Sequence, residues 1–133
     1  MKDNKTLIAV YGSLRMAHGN HRLFKRYPTE DWEYKGTETI QGFNLFSLGG
    51  FPGIEKGDNE LVIELYEVSD NVLASVRALE GYSPKSNENW FYNEIGVDTS
   101  LGQARIYEYV SGAEGRKIIK DGDWTKYVKE RNS

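Results

Sequence analysis

Two features of this sequence are equipped for chemistry. The first is Glu80, which ends a helical pattern directly before Gly81. A carboxylate in the last turn of a helix faces the negative end of the helix dipole, a position that favours cations. Leu79 and Tyr82 lie next to it in the chain and supply apolar surroundings. Both effects disfavour the ionised form, so the carboxyl is a candidate proton shuttle near neutral pH. The plainer alternative is a solvated glutamate beside a helix cap. The second feature is Tyr11-Gly12-Ser13-Leu14-Arg15, which follows the apolar run Leu7 to Val10. A strand that stops at glycine leaves consecutive N–H groups free, and such a concavity holds a carboxylate or phosphate. A glycine there can also take φ > 0 and let a ligand approach the backbone. Ordinary turn chemistry would use the same residues.

Other chemistries have weaker support. Glu64, Glu67, Glu88 and Glu94 could pair with Glu80 as glycosidases require, but sequence does not set the carboxylate separation. Glu64 and Glu67, on a strand, are expected to face solvent or pair with lysines. His18 and His21 could begin a metal site, yet zinc takes three or four ligands and nothing marks the others. No metal and no organic cofactor is expected. Ser13 lacks the glycine two residues on that a nucleophile elbow needs, and suits anion holding better than attack on a carbonyl. With no cysteine, thiolate nucleophiles and disulfides are excluded.

The elements that must position these residues are short. At 133 residues the chain fits one domain spanning 1–133, and a chain of that size buries roughly two-thirds of its unfolded surface. Seventeen basic against twenty acidic residues, with no dense basic run, argue against a nucleic-acid partner. No apolar stretch approaches a membrane span, and Met1 to Asn4 open no signal-peptide core. A cytoplasmic protein with no membrane partner is expected, as a monomer or weak homodimer.

Leu7 to Tyr11 predicts a first strand, apolar on both faces. Asn20 could cap a short helix carrying Leu23 and Phe24, ended by Pro28. Glu33 to Ile40 and Phe43 to Leu48 predict strands around Gly42, before the glycine-rich loop Leu48 to Gly53. In Leu61 to Val68, Leu61, Ile63 and Leu65 share one face, and Val62, Tyr66 and Val68 the other. Ser69-Asp70 supplies an N-cap for a helix bearing Val72, Leu73, Val76 and Leu79, stopped at Gly81. Trp90 to Val97 and Gln103 to Val110 predict a hairpin, and Asp123 a cap for a helix with Trp124, Tyr127 and Val128. The fold class is α+β: a small mixed, barrel-like sheet with two or three short flanking helices.

In order along the chain, Val10-Tyr11-Gly12-Ser13-Leu14-Arg15, Gly19-Asn20-His21, Leu48 to Ile54, Leu65-Tyr66-Glu67-Val68, Leu79-Glu80-Gly81-Tyr82, Ala104 to Val110 and Gly122-Asp123-Trp124 resemble the motifs of the γ-glutamylcyclotransferase, or AIG2-like, family. The likeness to its γ-glutamylamine branch covers nearly the whole chain. It implies a small mixed barrel with a cavity at one end. It also implies cyclising cleavage of a γ-glutamyl amide to 5-oxoproline and a free amine. By position, the backbone of Tyr11, Gly12, Ser13 and Leu14 would hold the substrate's α-carboxylate and Glu80 would be the acid/base. Gly50, Tyr107 and Tyr109 would also border the small-molecule substrate. A module of the same fold that binds γ-glutamyl compounds without turnover is the alternative. Two departures stand out. Arg77 replaces an acidic or polar residue, and it could point outward or lower the Glu80 pKa. Trp90-Phe91-Tyr92-Asn93 replaces a tyrosine–arginine pair, with Trp90 expected in the core and the segment bordering the pocket. Arg15 is expected either to add charge to the carboxylate site or to lie in solvent.

Overall fold

The computed structural model describes residues 5–83, 85 and 91–131. Expectations for Trp90, Glu88 and the first four residues fall outside that range. Six strands form one mixed sheet in the order β4-β5-β1-β3-β2-β6. β1 (Lys5–Val10) lies near its centre, antiparallel to β3 (Pro52–Ser69) and parallel to β5 (Gly102–Tyr109). Its apolar side chains alternate between two cores, as a strand covered on both faces must. Ala9 and Tyr11 join Leu61, Ile63, Leu65, Ile106 and Trp124 inside the curl of the sheet. Ile8 and Val10 join Phe24, Tyr66, Val68, Val72 and Val76 beneath the helices.

The two expected strands around Gly42 are one, β2 (Trp32–Ser47), with irregular register at Tyr34/Gly36 and at Gln41/Phe43. The strand expected from Leu61 starts nine residues earlier, at Pro52. Lys56 to Glu60 is too polar to signal a strand. Its backbone is nonetheless tied into the hairpin, where Phe43 to Ser47 of β2 face Pro52 to Lys56, and Asn44 bonds both Glu55 and Asn59. Long-range pairing overrides propensity here. β1 faces only Glu64 to Ser69 of β3, so the earlier half of β3 overhangs it. That overhang curls the sheet into a half-barrel. The Tyr92 hydroxyl of β4 (Tyr92–Thr99) donates to the Pro52 carbonyl at 2.6 Å, and Gly53 lies under the Tyr109 side chain.

Among the described residues, three α-helices flank the sheet. α1 (Arg22–Lys25) is short, and Asn20 does not cap it; its side chain donates instead to the Ser13 hydroxyl at 2.8 Å. α2 (Asp70–Glu80) is capped by Ser69, whose hydroxyl accepts from the Val72 N–H, and is stopped by Gly81 at φ 69°. That left-handed C-cap is the role glycine fills most cheaply. α3 (Trp124–Arg131) starts at Asp123, whose carboxylate accepts the Lys126 N–H. A short β6 (Ile118–Ile119) on the outer edge of β2 has no sequence signal of its own. No helix among the described residues is long and apolar enough to cross a membrane.

Gly122 holds the start of α3 against the sheet. Its φ is 65°, its carbonyl accepts the Val62 N–H at 2.9 Å, and a Cβ there would lie 1.8 Å from the Glu60 carbonyl oxygen. Backbone cannot yield as a side chain can. Gly122→Ala is therefore expected to cost more than about 2 kcal/mol in urea unfolding, the αL penalty and the clash acting together. Gly50→Ala, which meets open space, should stay within about 0.5 kcal/mol. Equal effects would contradict this packing.

Candidate active site

One end of the sheet gathers five separate segments. They are the loop after β1, the turn between β2 and β3, the C-terminal turn of α2, the start of β4 and the end of β5. Tyr11, Gly12, Ser13 and Leu14 line a narrow inner recess together with Pro52, Glu80 and Tyr107. A wider cavity of about 560 Å³ opens outside it, bordered by Ser13, Asn20, Gly50, Phe51, Leu79, Glu80, Phe91 and Tyr92 among others. Ser13 and Glu80 belong to both spaces, so they stand at the junction. Tyr109 borders neither; its ring packs against Phe46 and Tyr92 behind them.

The loop after β1 is a turn closed by the Arg15 N–H on the Gly12 carbonyl at 3.0 Å. Among the described residues, the N–H groups of Gly12, Ser13 and Leu14 meet no protein acceptor. Buried N–H groups in that condition call for an external acceptor, and an anion supplies one. Gly12 is not at positive φ, contrary to the expectation from its place after the strand. Its missing side chain matters for another reason: a Cβ would sit 2.5 Å from the Pro52 ring. The glycine lets β3 close the floor of the recess.

Arg15 neither adds charge to this loop nor lies in solvent. It is buried, with Nε 2.9 Å from Glu64 and Nη1 3.0 Å from Asp123. Glu64 is buried too, not a solvated strand residue, and also accepts the Met16 N–H and the Tyr66 hydroxyl. Two acidic partners on different elements hold the guanidinium away from the recess and fix the loop's far end. His21, also buried, uses Nδ1 on the Leu14 carbonyl, while Nε2 of His18 meets Thr125.

Glu80 is partly buried. Among the described residues its carboxyl has no hydrogen bond or ion pair. Burial pushes it up to about 7. The nearby donors are committed elsewhere. Tyr11 donates to the Tyr107 carbonyl at 2.6 Å, Tyr92 to Pro52, and Tyr107 to Glu94 at 2.6 Å. All three phenols are raised, first by burial and then in part by the charge of Glu80 or, for Tyr107, of Glu94. Arg77 forms a two-pronged pair with Glu94, both contacts at 2.8 Å, so it neither points freely outward nor lowers Glu80. Burial alone would raise Glu94, but the hydrogen bonds from Arg77 and Tyr107 outweigh it and keep that carboxyl low. The two carboxylates thus differ in kind: Glu94 is a fixed anion, Glu80 an exchangeable proton site. Pro52, Phe51 and Leu79 had no signal as site residues. Each reads locally as turn or core, and only the curl of the sheet brings them together.

The sequence pattern of the family described as "Gamma-glutamyl cyclotransferase, AIG2-like" matches residues 8–126. The chain is 32% identical over 117 residues to the "Gamma-glutamylcyclotransferase family protein YtfP" of Escherichia coli (strain K12), covering 88% of this chain and 94% of that protein. It is 31% identical over 121 residues to "Gamma-L-glutamyl-butirosin B gamma-glutamyl cyclotransferase" of Niallia circulans, covering 89% and 74%. A crystal structure of an uncharacterized protein from Pyrococcus horikoshii superimposes with a TM-score of 0.76 at 28% identity, covering 96% of each chain.

The state of Glu80 has a consequence for stability. Its carboxyl keeps its proton to about 7 in the folded protein, against an ordinary 4.5. The folded state therefore binds more protons between those values, and stability falls as pH rises through that window. Glu80→Gln removes this loss. The variant is expected to be more stable than the parent at pH 8 by about 1–3 kcal/mol, and equal to it at pH 4. Paired urea titrations check this, and a parent more stable than the variant at pH 8 would contradict it.

Proposed function

The chain belongs to the γ-glutamyl cyclotransferase, AIG2-like family, and from that premise we propose that it cyclises a γ-glutamyl amide to 5-oxoproline, with Glu80 as its general acid/base. Family membership supports γ-glutamyl cyclotransferase activity in general. The observation that carries the finer reading is that two features line the same recess: a carboxyl that burial raises to about 7 and a loop of N–H groups, neither of them partnered among the described residues.

In this reading the Gly12 to Leu14 N–H groups take the substrate's α-carboxylate and fold the glutamyl chain into the inner recess. Ionised Glu80 removes a proton from the α-ammonium, whose ordinary pKa is about 8. The freed amine forms a bond to the γ-carbonyl carbon and closes a five-membered ring. As the carbon–nitrogen bond to the leaving amine breaks, Glu80 returns its proton to that nitrogen. The ring nitrogen's remaining extra proton then passes through Glu80 to the departed amine, so the products are 5-oxoproline and the amine as its ammonium ion, with Glu80 again ionised. The nucleophile belongs to the substrate, so neither a serine nor a cysteine is needed. Holding both ends of an intramolecular reaction is worth on the order of 7–11 kcal/mol over a bimolecular one. The leaving amine exits into the outer cavity, on the other side of Glu80. The Niallia circulans relative, named for γ-L-glutamyl-butirosin B, is consistent with a γ-glutamyl amide as substrate.

The test is turnover of γ-glutamyl amides by the purified protein, with 5-oxoproline read by mass spectrometry. Glu80→Gln is expected to lower kcat by about 10²–10⁴-fold, the usual contribution of a positioned acid/base. Full activity in that variant would overturn the assignment. The kcat/KM profile should rise through about 7 as Glu80 ionises. It should fall again above about 8 as the substrate amine loses its proton. An acid limb between 4 and 5 would show that the base is not a raised carboxyl.

A further inference from the structure

The geometry points to a leaving amine that is apolar or aromatic and carries no carboxylate on the carbon bonded to the scissile nitrogen. This rests on the cyclisation reading and names the substrate class within it. Among the described residues, seven large apolar side chains are exposed, and three of them border the outer cavity: Phe51 at 46%, Leu79 at 43% and Phe91 at 57% exposure. They come from three different elements, the β2–β3 turn, the last turn of α2 and the residue before β4. Leu79 sits at a helical position expected in the core, yet it faces this space. A concentration of apolar surface at one cavity wall marks a binding surface for apolar ligand.

The charge around the cavity bears on the same question. Its ionisable side chains among the described residues are Glu80 and Tyr92, and neither supplies a positive charge. The arginines of this end are engaged outside the cavity: Arg15 by Glu64 and Asp123, Arg77 by Glu94, and Arg131 by the Gly49 carbonyl of the β2–β3 turn, without lining the space. Arg22 and Arg26 border a neighbouring groove, which meets the cavity at Asn20 and Leu79 but does not include Glu80. The leaving nitrogen must lie against Glu80 to take back its proton. A carboxylate on the adjoining carbon would therefore face that carboxylate without a cation among the cavity's described lining residues to offset it. Like charges in a desolvated site oppose one another and would raise Glu80 further, leaving less of it ionised to take the ammonium proton. A phenyl ring in the same place would instead cover Phe51, Leu79 and Phe91.

Three substrates separate these effects: γ-glutamyl-phenethylamide, γ-glutamyl-phenylalanine, which differs from it by one carboxylate, and γ-glutamyl-methylamide, which lacks the ring. We expect kcat/KM for the phenethylamide to exceed that of each of the others by at least about tenfold, the order that burying several methylene-sized groups supplies. Replacing Phe51 and Phe91 together by alanine should reduce the phenethylamide-to-methylamide ratio about tenfold, a comparison internal to one folded protein. Phenylalanine and phenethylamide conjugates turned over equally, or a methylamide as good as the phenethylamide, would overturn the inference. If none of the three yields 5-oxoproline, the cyclisation reading fails. Equilibrium binding of the same three compounds to the parent protein then decides the selectivity separately, in the same expected order.

Discussion

The site depends on a carboxyl that the protein surrounds with donors, none of which, among the described residues, bonds to it. Tyr11, Tyr92 and Tyr107 lie close enough for charge at Glu80 or Glu94 to raise their phenols, yet each directs its proton to another acceptor. Arg77, three residues before Glu80 on the same helix, is taken by Glu94. Had any of these groups turned to Glu80, its pKa would fall toward that of an ordinary carboxylate and its strength as a base would go with it. The network around Glu94 is therefore as much a part of the site as Glu80. It absorbs the positive charge and the hydroxyl that would otherwise neutralise the proton site.

The same division of labour recurs under the loop after β1. Arg15 is the cation nearest in sequence to the turn proposed to hold an anion, and the fold buries it on Glu64 and Asp123. Asp123 also caps α3, and Gly122 seats that helix against β3, so the loop is braced by the C-terminal part of the chain. In the proposed site, backbone N–H groups, not a side-chain charge, are left to meet the ligand. Amide donors fixed by a rigid turn discriminate by geometry, whereas a mobile arginine would discriminate mainly by charge.

Much of this was legible in the sequence. The α2 helix, its Ser69 and Gly81 caps, the two faces of Leu61 to Val68 and the pairing of Glu80 with residues 11–14 all follow from local signals or from the ordered family motifs. The parts that were not legible share one cause. Pro52 to Glu60 is strand only because β2 lies beside it, Glu64 is buried only because Arg15 reaches it from another element, and Leu79 leaves the core because the β2–β3 turn opens a cavity there. Periodicity reports what a residue does along its own element. It does not report which distant element arrives, and the walls of the outer cavity are made by such arrivals.

The protonation state of one side chain can be observed without reference to turnover. Carboxyl carbon shifts of ¹³C-labelled glutamate, followed by NMR from pH 4 to pH 9 and assigned by Glu80→Gln, report it directly. One glutamate with a midpoint near 7 that disappears in the variant is expected, together with a low-titrating Glu94. A Glu80 midpoint between 4 and 5 would mean that the carboxyl has found a partner or water, and the proposed acid/base would have no physical basis.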